Sequence, residues 1–171
     1  MKFIVKNVIP EDYQELGELM VEVYSQLDGF PKPEEQPDYY NLLRNVGDFT
    51  KNDTTELLGI YSNENSLLAG VVFFGDMKHY GSGGTATAEK NAAGFRLLAV
   101  SSKARGMGLG KTLTMECIEK AKAMNLQQVI IHTTNAMKPA WVMYEKIGFE
   151  RSGDLDFVQG NLEVFGFRYQ L

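Results

Sequence analysis

The alternation of apolar and polar side chains in the first half of the chain predicts a strand, two helices and a hairpin. Residues 2–8 alternate as a strand does. Residues 10–12 (Pro-Glu-Asp) then open a helix, because proline and acidic residues suit a first turn. Its apolar face repeats at helical spacing through Tyr13, Leu16, Leu19, Met20, Val23 and Leu27. A shorter helix is predicted over 38–46, and strands over 55–61 and 67–74 form a hairpin.

The second half begins with an unpatterned stretch and continues with alternating strands and helices. Residues 75–91 are rich in glycine and are expected to form a mobile loop. The elements predicted after it are strands at 93–100 and 129–133, helices at 108–124 and 138–147, and a final hairpin of strands 149–158 and 162–171. The pattern predicts a single domain over residues 1–171 of the α/β class. Its sheet is mixed, mostly antiparallel and seven-stranded, with about four flanking helices.

Composition and charge narrow the class of protein. The chain has 171 residues, 44% of them hydrophobic and 23% charged, as expected for one globular domain. Its net charge of -5 argues against nucleic acid as a partner, because phosphate binding needs a basic face. The single cysteine, Cys117, excludes an intrachain disulfide. We see neither an apolar leader nor an apolar run near the ~20 residues that span a bilayer. A cytoplasmic protein without a membrane partner is therefore expected.

The segment that follows the apolar strand 97–100 has the chemistry of an anion site. A short polar connection leads into Arg105-Gly106-Met107-Gly108-Leu109-Gly110, and a helix begins at once. Glycines let a backbone approach a phosphate closely, and the unpaired N–H groups and dipole of a helix start favour negative charge. Lys111 and Thr112 are expected to add donors at the mouth of this site.

Two phosphate-binding motifs fit this loop poorly. A nucleotide P-loop, suggested by Gly110-Lys111-Thr112, needs four residues between its glycines, whereas Gly106 and Gly110 have three between them. The later strand 129–132 also lacks the aspartate that would hold magnesium. A dinucleotide fingerprint fits less well than the P-loop, because this loop is one residue short of it.

A third phosphate-binding motif fits the glycine loop, and a second segment of the chain, residues 135–149, supports the same assignment. Arg-x-x-Gly-x-Gly after a strand resembles the coenzyme A pyrophosphate loop of the GNAT acetyltransferase superfamily, with Arg105, Gly108 and Gly110 at the motif positions. Asn135 and the segment 140–149 are similar to the family's Asn…Ala…Tyr-Glu-Lys-x-Gly-Phe pattern. The resemblance is strong from about residue 95 to 149, and only the element order matches before that. It implies a GNAT-like fold with splayed central strands, acetyl-CoA as donor and no metal.

The resemblance also implies roles for individual residues. The backbone of Leu98 and Val100 would pair with pantetheine, and an N–H near Leu98 would stabilise the oxyanion. Tyr144 would be the general acid that protonates the leaving thiolate, or else a packing residue. Asn135 would bind the pantetheine arm, or else only end its strand. The implied cofactor-binding residues are Leu98, Ala99, Val100, Arg105, Gly106, Met107, Gly108, Leu109, Gly110, Lys111, Thr112 and Asn135.

The general base is where the sequence departs from the family pattern. Some GNAT enzymes carry a glutamate on the strand before Leu-Ala-Val, but residues 92–97 contain no carboxylate. His132 is one candidate, although a histidine in an apolar strand is more often a satisfied core residue. Glu89 and His79 are expected to be solvated surface residues.

Arg96 is a charge among apolar strand residues, so it needs a counterpart. It is expected on the same face as Gly94 and Leu98. There it would anchor a carboxylate or phosphate of the substrate, or else pair with an internal acid. A second hint favours a cationic substrate, because Asp28, Glu34, Glu35 and Asp38 flank the proline-rich loop near the expected acceptor site. These acids are more often a solvated charge run.

These observations predict an N-acetyltransferase that moves an acetyl group from acetyl-CoA to a primary amine of a small molecule or peptide. The amine would attack directly in a ternary complex. The alternatives are a non-catalytic acyl-CoA-binding regulatory module and a purely structural fold. The expected partners are acetyl-CoA and an amine acceptor, and a homodimer is compatible with the sequence.

Overall fold

The computed structural model describes residues 2–171. They form eight strands and four α-helices, joined by short 3-10 turns. The elements are β1 (Phe3–Asn7), α1 (Tyr13–Ser25), α2 (Pro37–Arg44), β2 (Thr55–Ser62), β3 (Leu67–Phe74), β4 (Ala92–Val100), α3 (Leu109–Ala123), β5 (Gln128–Thr133), α4 (Lys138–Ile147), β6 (Glu150–Arg151), β7 (Phe157–Gln159) and β8 (Leu162–Gln170). No helix among these residues is both long and apolar enough to cross a membrane.

The strands form one mixed sheet in the order β1-β2-β3-β4-β5-β8-β6, and β7 pairs with β8 outside that path. Every neighbouring pair is antiparallel except β4 and β5, which run parallel. This confirms the predicted mixed, mostly antiparallel sheet. The prediction of one strand over 149–158 is wrong, because a 3-10 turn at Gly153–Leu155 divides it and buries Leu155 completely.

The two faces of the sheet carry separate hydrophobic clusters. On the first face α1 packs against β3 and β4, and α2 packs against α1, through fully buried residues such as Leu16, Met20 and Tyr40. On the second face α3 packs against the sheet along the apolar stripe that its sequence predicts. That stripe is Leu109, Leu113, Cys117 and Ala121, all buried. The inner strands are buried on both faces because helices cover each of them.

The strands β4 and β5 pair over only three residues each, Ala92 to Gly94 against Gln128 to Ile130, and then diverge. On its other edge, where it pairs with β3, β4 has a bulge. Gly70 pairs with Ala99 and Val72 pairs with Arg96, so a step of two residues on β3 corresponds to a step of three residues on β4. Leu97 sits in this bulge with φ of 63°, a left-handed conformation that is rare for leucine. The divergence opens a gap in the middle of the sheet, as the family resemblance implies.

The bulge corrects the expected orientation of Arg96. A bulge inserts one extra residue, so the side-chain alternation shifts beyond it. Gly94 and Leu97 belong to the first face, whereas Leu98 packs against the second cluster. Arg96 therefore shares a face with Gly94, as predicted, but not with Leu98.

Residues 75–91 form a loop, but a more buried one than their sequence suggests. Met77, Tyr80 and Ala86 are each at most 1% exposed and belong to the first core cluster. Glu89 is not a free surface acid, because its carboxylate accepts a 2.6 Å hydrogen bond from the guanidinium of Arg168. The expectation of a mobile, solvated loop is thus wrong for the part of it that covers the sheet.

Candidate active site

The gap between β4 and β5 presents backbone hydrogen-bonding groups. The Ser101 N–H donates to the Leu68 carbonyl on β3 at 2.8 Å. Because amide groups along a strand point alternately to its two sides, those of Val100 and Leu98 point into the gap. The Leu98 carbonyl already accepts a 2.9 Å hydrogen bond from the Tyr24 hydroxyl of α1. An extended amide-containing chain that entered the gap would therefore find strand-like partners on β4.

The glycine loop has the geometry of an anion site. Gly106 and Gly108 have φ of 79° and 75°, and Gly108 is the N-cap residue of α3. The first intrahelical bond runs from the Thr112 N–H to the Gly108 carbonyl at 3.0 Å, which leaves the N–H groups of residues 109–111 without helical acceptors. A Cβ built on Gly106 or Gly108 meets no atom within 4 Å. A phosphate thus has both donors and open space here.

Some side chains around this loop are exposed, and others are buried or already hydrogen-bonded. Arg105 and Met107 are exposed, whereas Leu109 is buried and offers only its backbone. The Thr112 hydroxyl donates to the Gly108 carbonyl at 3.1 Å, so it is not the free donor that the sequence suggests. Lys111 lies at a groove between α3 and α4 that also contains Lys146. The pattern of glycines did not indicate Lys146.

The groove between α3 and α4 combines positive charge with apolar walls. Besides the two lysines, its lining residues are Met115, Pro139, Val142, Met143 and Ile147. Such a groove suits a flat apolar ring that carries an anionic group, because each part of the ligand meets a matching surface.

A cavity lies at the gap between β4 and β5, and we call it the central cavity. Tyr144 of α4 and Thr133 of β5 both line it. Tyr144 on α4 is 5% exposed, and its ring packs edge-on against Phe95 and Phe149. Burial raises the pKa of the Tyr144 hydroxyl, so it stays protonated at neutral pH and can act as a donor. The Thr133 hydroxyl, at the end of β5, is buried and has no hydrogen-bond partner within residues 2–171. A polar ligand in the gap would satisfy it.

Asn135 lies just beyond β5 in a 3-10 turn at Asn135–Met137. Its side chain is exposed and does not line the central cavity, whereas Thr134 and Met137 on either side of it do. The contact of Asn135 with the pantetheine arm stays a prediction.

Arg96 lines the same cavity without an acidic partner. One guanidinium N–H donates to the Tyr80 carbonyl at 2.9 Å, and the guanidinium carbon lies 5.9 Å from the centre of the Tyr80 ring. None of the ion pairs formed among residues 2–171 includes Arg96. The internal ion pair that the sequence left open is thus absent from the described part of the chain. The remaining guanidinium donors are available to an anion.

Tyr80 and His132 form a hydrogen-bonded pair at the wall of this cavity. The Tyr80 hydroxyl lies 2.9 Å from Nδ1 of His132, and Nε2 of His132 lies 2.8 Å from the Leu155 carbonyl. A carbonyl only accepts, so Nε2 carries the proton and donates to Leu155. Nδ1 is then the acceptor for the Tyr80 hydroxyl. Burial lowers the pKa of His132 below its ordinary 6.5, and the nearby Arg96 charge acts in the same direction.

Aromatic residues form the rest of the cavity wall. The rings of Tyr24, Phe30 and Tyr39 pack together at centroid distances of 5.5 to 6.2 Å. Phe157 of β7 packs edge-on against His132 from the other side, with centroids 5.2 Å apart. The acidic residues of the proline-rich loop stay outside: Asp28, Glu34, Glu35 and Asp38 are all exposed. The cavity therefore offers one cation and several rings, and not an acidic patch.

Comparisons with known proteins agree with this geometry. Residues 16–149 match the sequence profile described as "Acetyltransferase (GNAT) family". A mycothiol acetyltransferase from Saccharomonospora viridis is 35% identical over 66 residues, which cover 38% of this chain and 22% of that protein. An N-acetylaspartate synthetase from Danio rerio is 34% identical over 68 residues, which cover 40% of this chain and 24% of that protein.

Among solved structures, the chain resembles an N-acetyltransferase (PaiA) from Thermoplasma acidophilum in complex with coenzyme A. The TM-score is 0.72 at 16% identity, and the match covers 99% of this chain and 100% of that one. At this identity the similarity concerns the fold. The chain matches less than a quarter of the length of the curated relatives, so their similarity is limited to one segment.

Proposed function

The chain belongs to the acetyltransferase (GNAT) family, and on that premise we propose that it transfers an acetyl group from acetyl-CoA to a primary amine that also carries a carboxylate. The amine attacks the thioester directly while both substrates are bound. The observation that carries the choice of acceptor is Arg96, a guanidinium in an aromatic cavity that has no acid among its lining residues in the described part of the chain, 2–171.

The binding of coenzyme A is supported by three features of the chain. The N–H groups of residues 109–111 and the open side of Gly106 and Gly108 suit the pyrophosphate. The gap between β4 and β5, with its inward amides and the unpaired Thr133 hydroxyl, suits the pantetheine arm. The groove with Lys111 and Lys146 suits the adenosine and its 3′-phosphate.

The residues of the cavity suit both the attack of the amine on the thioester and the departure of the thiolate. The inward N–H of Leu98 stabilises the oxyanion that forms when the amine nitrogen bonds to the thioester carbonyl carbon. The carbon–sulfur bond then breaks, and Tyr144 gives its hydroxyl proton to the coenzyme A thiolate. Tyr144 recovers a proton from the newly bonded nitrogen, which leaves the neutral amide.

The preference for an anionic acceptor follows from the charge balance of the cavity. Arg96 is partly exposed and forms no ion pair among residues 2–171, and a substrate carboxylate would pair with it in a bidentate way. The aromatic wall would then contact the apolar part of the same molecule. The name of the Danio rerio relative, N-acetylaspartate synthetase, gives an N-acetylated amino acid as the product of that protein. A free amino acid is accordingly the first acceptor class to test.

A panel of matched amines tests this proposal. L-phenylalanine is compared with 2-phenylethylamine, and L-leucine with 3-methylbutylamine; each pair differs only in the carboxylate, and spermidine represents polycations. Release of coenzyme A thiol from acetyl-CoA is followed for each amine. We expect kcat/KM to be about 10- to 100-fold higher for the amino acid of each pair, as one charge-assisted contact implies.

The variant Arg96→Lys links that preference to one residue. We expect it to raise the KM for the amino acid and to reduce the preference within each pair, while coenzyme A binds as before, because lysine keeps the charge but loses the planar fork. A lower melting temperature with unchanged KM would instead mean that Arg96 only supports the fold. Coenzyme A binding without thiol release from any amine would favour the non-catalytic module.

A further inference from the structure

We propose that Tyr80 and His132 form the general-base relay of this protein, with the Tyr80 hydroxyl as the group that meets the acceptor amine. This inference rests on the proposed acetyl transfer and supplies the base that the strand before Leu97 lacks. No carboxylate occurs in β4, so the position where some related enzymes carry a glutamate is apolar here, apart from Arg96.

The hydrogen bonds of the pair define the direction in which a proton moves. Nε2 of His132 donates to the Leu155 carbonyl, so Nδ1 holds the lone pair and accepts from the Tyr80 hydroxyl. Tyr80 is fully buried in the free protein but lines the cavity, so its oxygen, which keeps a second lone pair, meets the amine once the acceptor has entered. When that oxygen accepts a proton, its own hydroxyl proton passes to Nδ1, and the imidazolium stays bonded to Leu155.

The pair lies where an acceptor amine would have to be. Tyr80 and His132 line the same cavity as Tyr144, the proposed acid. The backbone of Tyr80 also holds Arg96 through its carbonyl, at 2.9 Å. A carboxylate on Arg96 would therefore bring the neighbouring amine of an amino acid close to the Tyr80 side chain. One residue, Tyr80, thus joins the proposed carboxylate anchor to the proposed base.

The protons balance over the complete reaction. The acceptor enters as an ammonium ion, and its first proton goes through Tyr80 to His132. The free amine then attacks the thioester carbonyl, and its second proton replaces the one that Tyr144 gives to the thiolate. His132 releases its proton to water when the products leave. Ammonium and acetyl-CoA thus yield acetamide, coenzyme A thiol and one proton.

The surroundings of His132 keep it neutral, so that it can accept a proton. The titratable and charged groups that face it are Tyr80 from the loop, Arg96 from β4 and Asp156 beside β7. Burial, the largest cause, and the Arg96 charge lower the pKa of His132, whereas the hydrogen bond to the Leu155 carbonyl and the Asp156 charge raise it, and the net effect is a lowered pKa. Asp156 is itself paired with Arg151 at 2.7 Å. His132 is therefore neutral at pH 7, and a carboxylate bound to Arg96 would make its protonation easier.

The pH profile of kcat/KM distinguishes a relay from a structural pair. It is measured with acetyl-CoA and the fastest acetylated of the five amines named above. A protein with a base uses the ammonium form, so the wild-type profile should be level from about pH 7 to the pKa of the amine. Without the base only the free amine reacts. We then expect a loss of about 100- to 1,000-fold at pH 7, with an increase of about tenfold per pH unit.

Two variants remove the base in different ways. His132→Gln keeps a donor for the Leu155 carbonyl but cannot take a proton. Tyr80→Phe keeps the ring and the backbone carbonyl that holds Arg96, and it loses only the hydroxyl. Both should show the sloping profile, and the double variant should lose little more than either alone, because the two residues act as one unit. The dissociation constant of coenzyme A should not change.

Three results would overturn these assignments in separable ways. A uniform loss at every pH, parallel to the wild type, would make the pair structural. A level profile in Tyr80→Phe would remove the relay even if His132→Gln were inactive or unfolded. A wild-type protein that binds coenzyme A but acetylates none of the five amines would overturn the proposed function, and the relay with it.

Discussion

At the scale of single residues, the two tyrosines of the cavity differ in what their hydroxyls contact. The Tyr80 hydroxyl is committed to His132, whereas Tyr144 lines the cavity with its ring held between Phe95 and Phe149. Burial raises the pKa of both, so both enter the reaction as protonated phenols. Only Tyr144 matches the position of the family tyrosine, which is why it is assigned to the thiolate.

The variant Tyr144→Phe tests that assignment. General acid catalysis contributes about 10²–10⁴-fold, so we expect kcat to fall by that amount while the dissociation constant of coenzyme A changes little. Tyr61→Phe is the matched control, because the Tyr61 hydroxyl donates to Asp12 at 2.9 Å, and Tyr61 is not among the residues that line the cavity. Equal kcat in Tyr144→Phe and wild type at saturating substrates would exclude the acid role.

The sequence could indicate some of these residues and not others. Tyr144 and the glycine loop lie in contiguous motifs, and Arg96 is visible as a charge among apolar neighbours. The bond between Tyr80 and His132 joins positions 52 residues apart, and Tyr80 comes from a segment without periodicity. The bulge at Leu97 is equally invisible, because a leucine in a strand pattern gives no sign of a positive φ. Such features depend on tertiary contacts.

At the scale of elements, the start of α3 sets how an anion is bound. The two glycines before the helix have positive φ, but Gly110 inside the first turn does not. A Cβ on Gly110 would lie 3.7 Å from the Met143 sulfur and 3.8 Å from Leu98, in ordinary contact with the protein interior. A Cβ on Gly108 would instead point to open space, where the phosphate is proposed to bind.

Two substitutions in this loop should therefore differ in effect. Gly108→Val places a branched side chain in that space and in a left-handed conformation, so we expect the affinity for coenzyme A to fall by about tenfold or more. Gly110→Ala should bind coenzyme A nearly as well and gain about 0.5–1 kcal/mol of stability from helix propensity. Isothermal titration and melting curves on both proteins make the comparison. Unchanged affinity in Gly108→Val would contradict the site.

The elements themselves were largely predictable, because helical and alternating patterns are local. All four α-helices and the long strands lie within a few residues of their predicted bounds. The exception is the segment between α4 and β8. There the Asp156 carboxylate accepts from the Gly166 N–H at 2.7 Å and pairs with Arg151, and the turn before it buries Leu155. These contacts divide a strand-like sequence into β6 and β7.

At the scale of the whole molecule, Arg168 on β8 connects four segments. Its guanidinium donates to Glu89 of the loop at 2.6 Å, to Gln128 of β5 at 2.9 Å and to Ser152 at 2.8 Å, and it also pairs with Asp154. The loop that supplies Tyr80 to the cavity ends at this network. The loop segment that contains Tyr80 is thus linked to a charge cluster outside the cavity.

Replacement of this arginine should affect stability and acceptor binding together. For Arg168→Met we expect a loss of about 2 kcal/mol, or about 4–8 °C in melting temperature, because the partly buried Glu89 loses its partner. The KM for the acceptor should rise, and coenzyme A should bind as before. Lys122→Met removes only an exposed pair with Glu119, so its melting temperature should match the wild type. An unchanged KM for the acceptor in Arg168→Met would show that the hydrogen bonds of Arg168 do not affect acceptor binding.

The short pairing of β4 with β5 has a consequence for how the protein unfolds. Strands β1 to β4 and strands β5 to β8 share a joint of only three residue pairs. Both sides also share the hydrophobic cluster under α3, so we predict local opening at this joint, with a lower free energy than global unfolding, rather than separate unfolding of each side. A ligand that fills the gap binds to both sides at once and adds about 2.7 kcal/mol at a hundred times its dissociation constant. We therefore expect the complex to unfold with higher cooperativity between the two sides than the free protein.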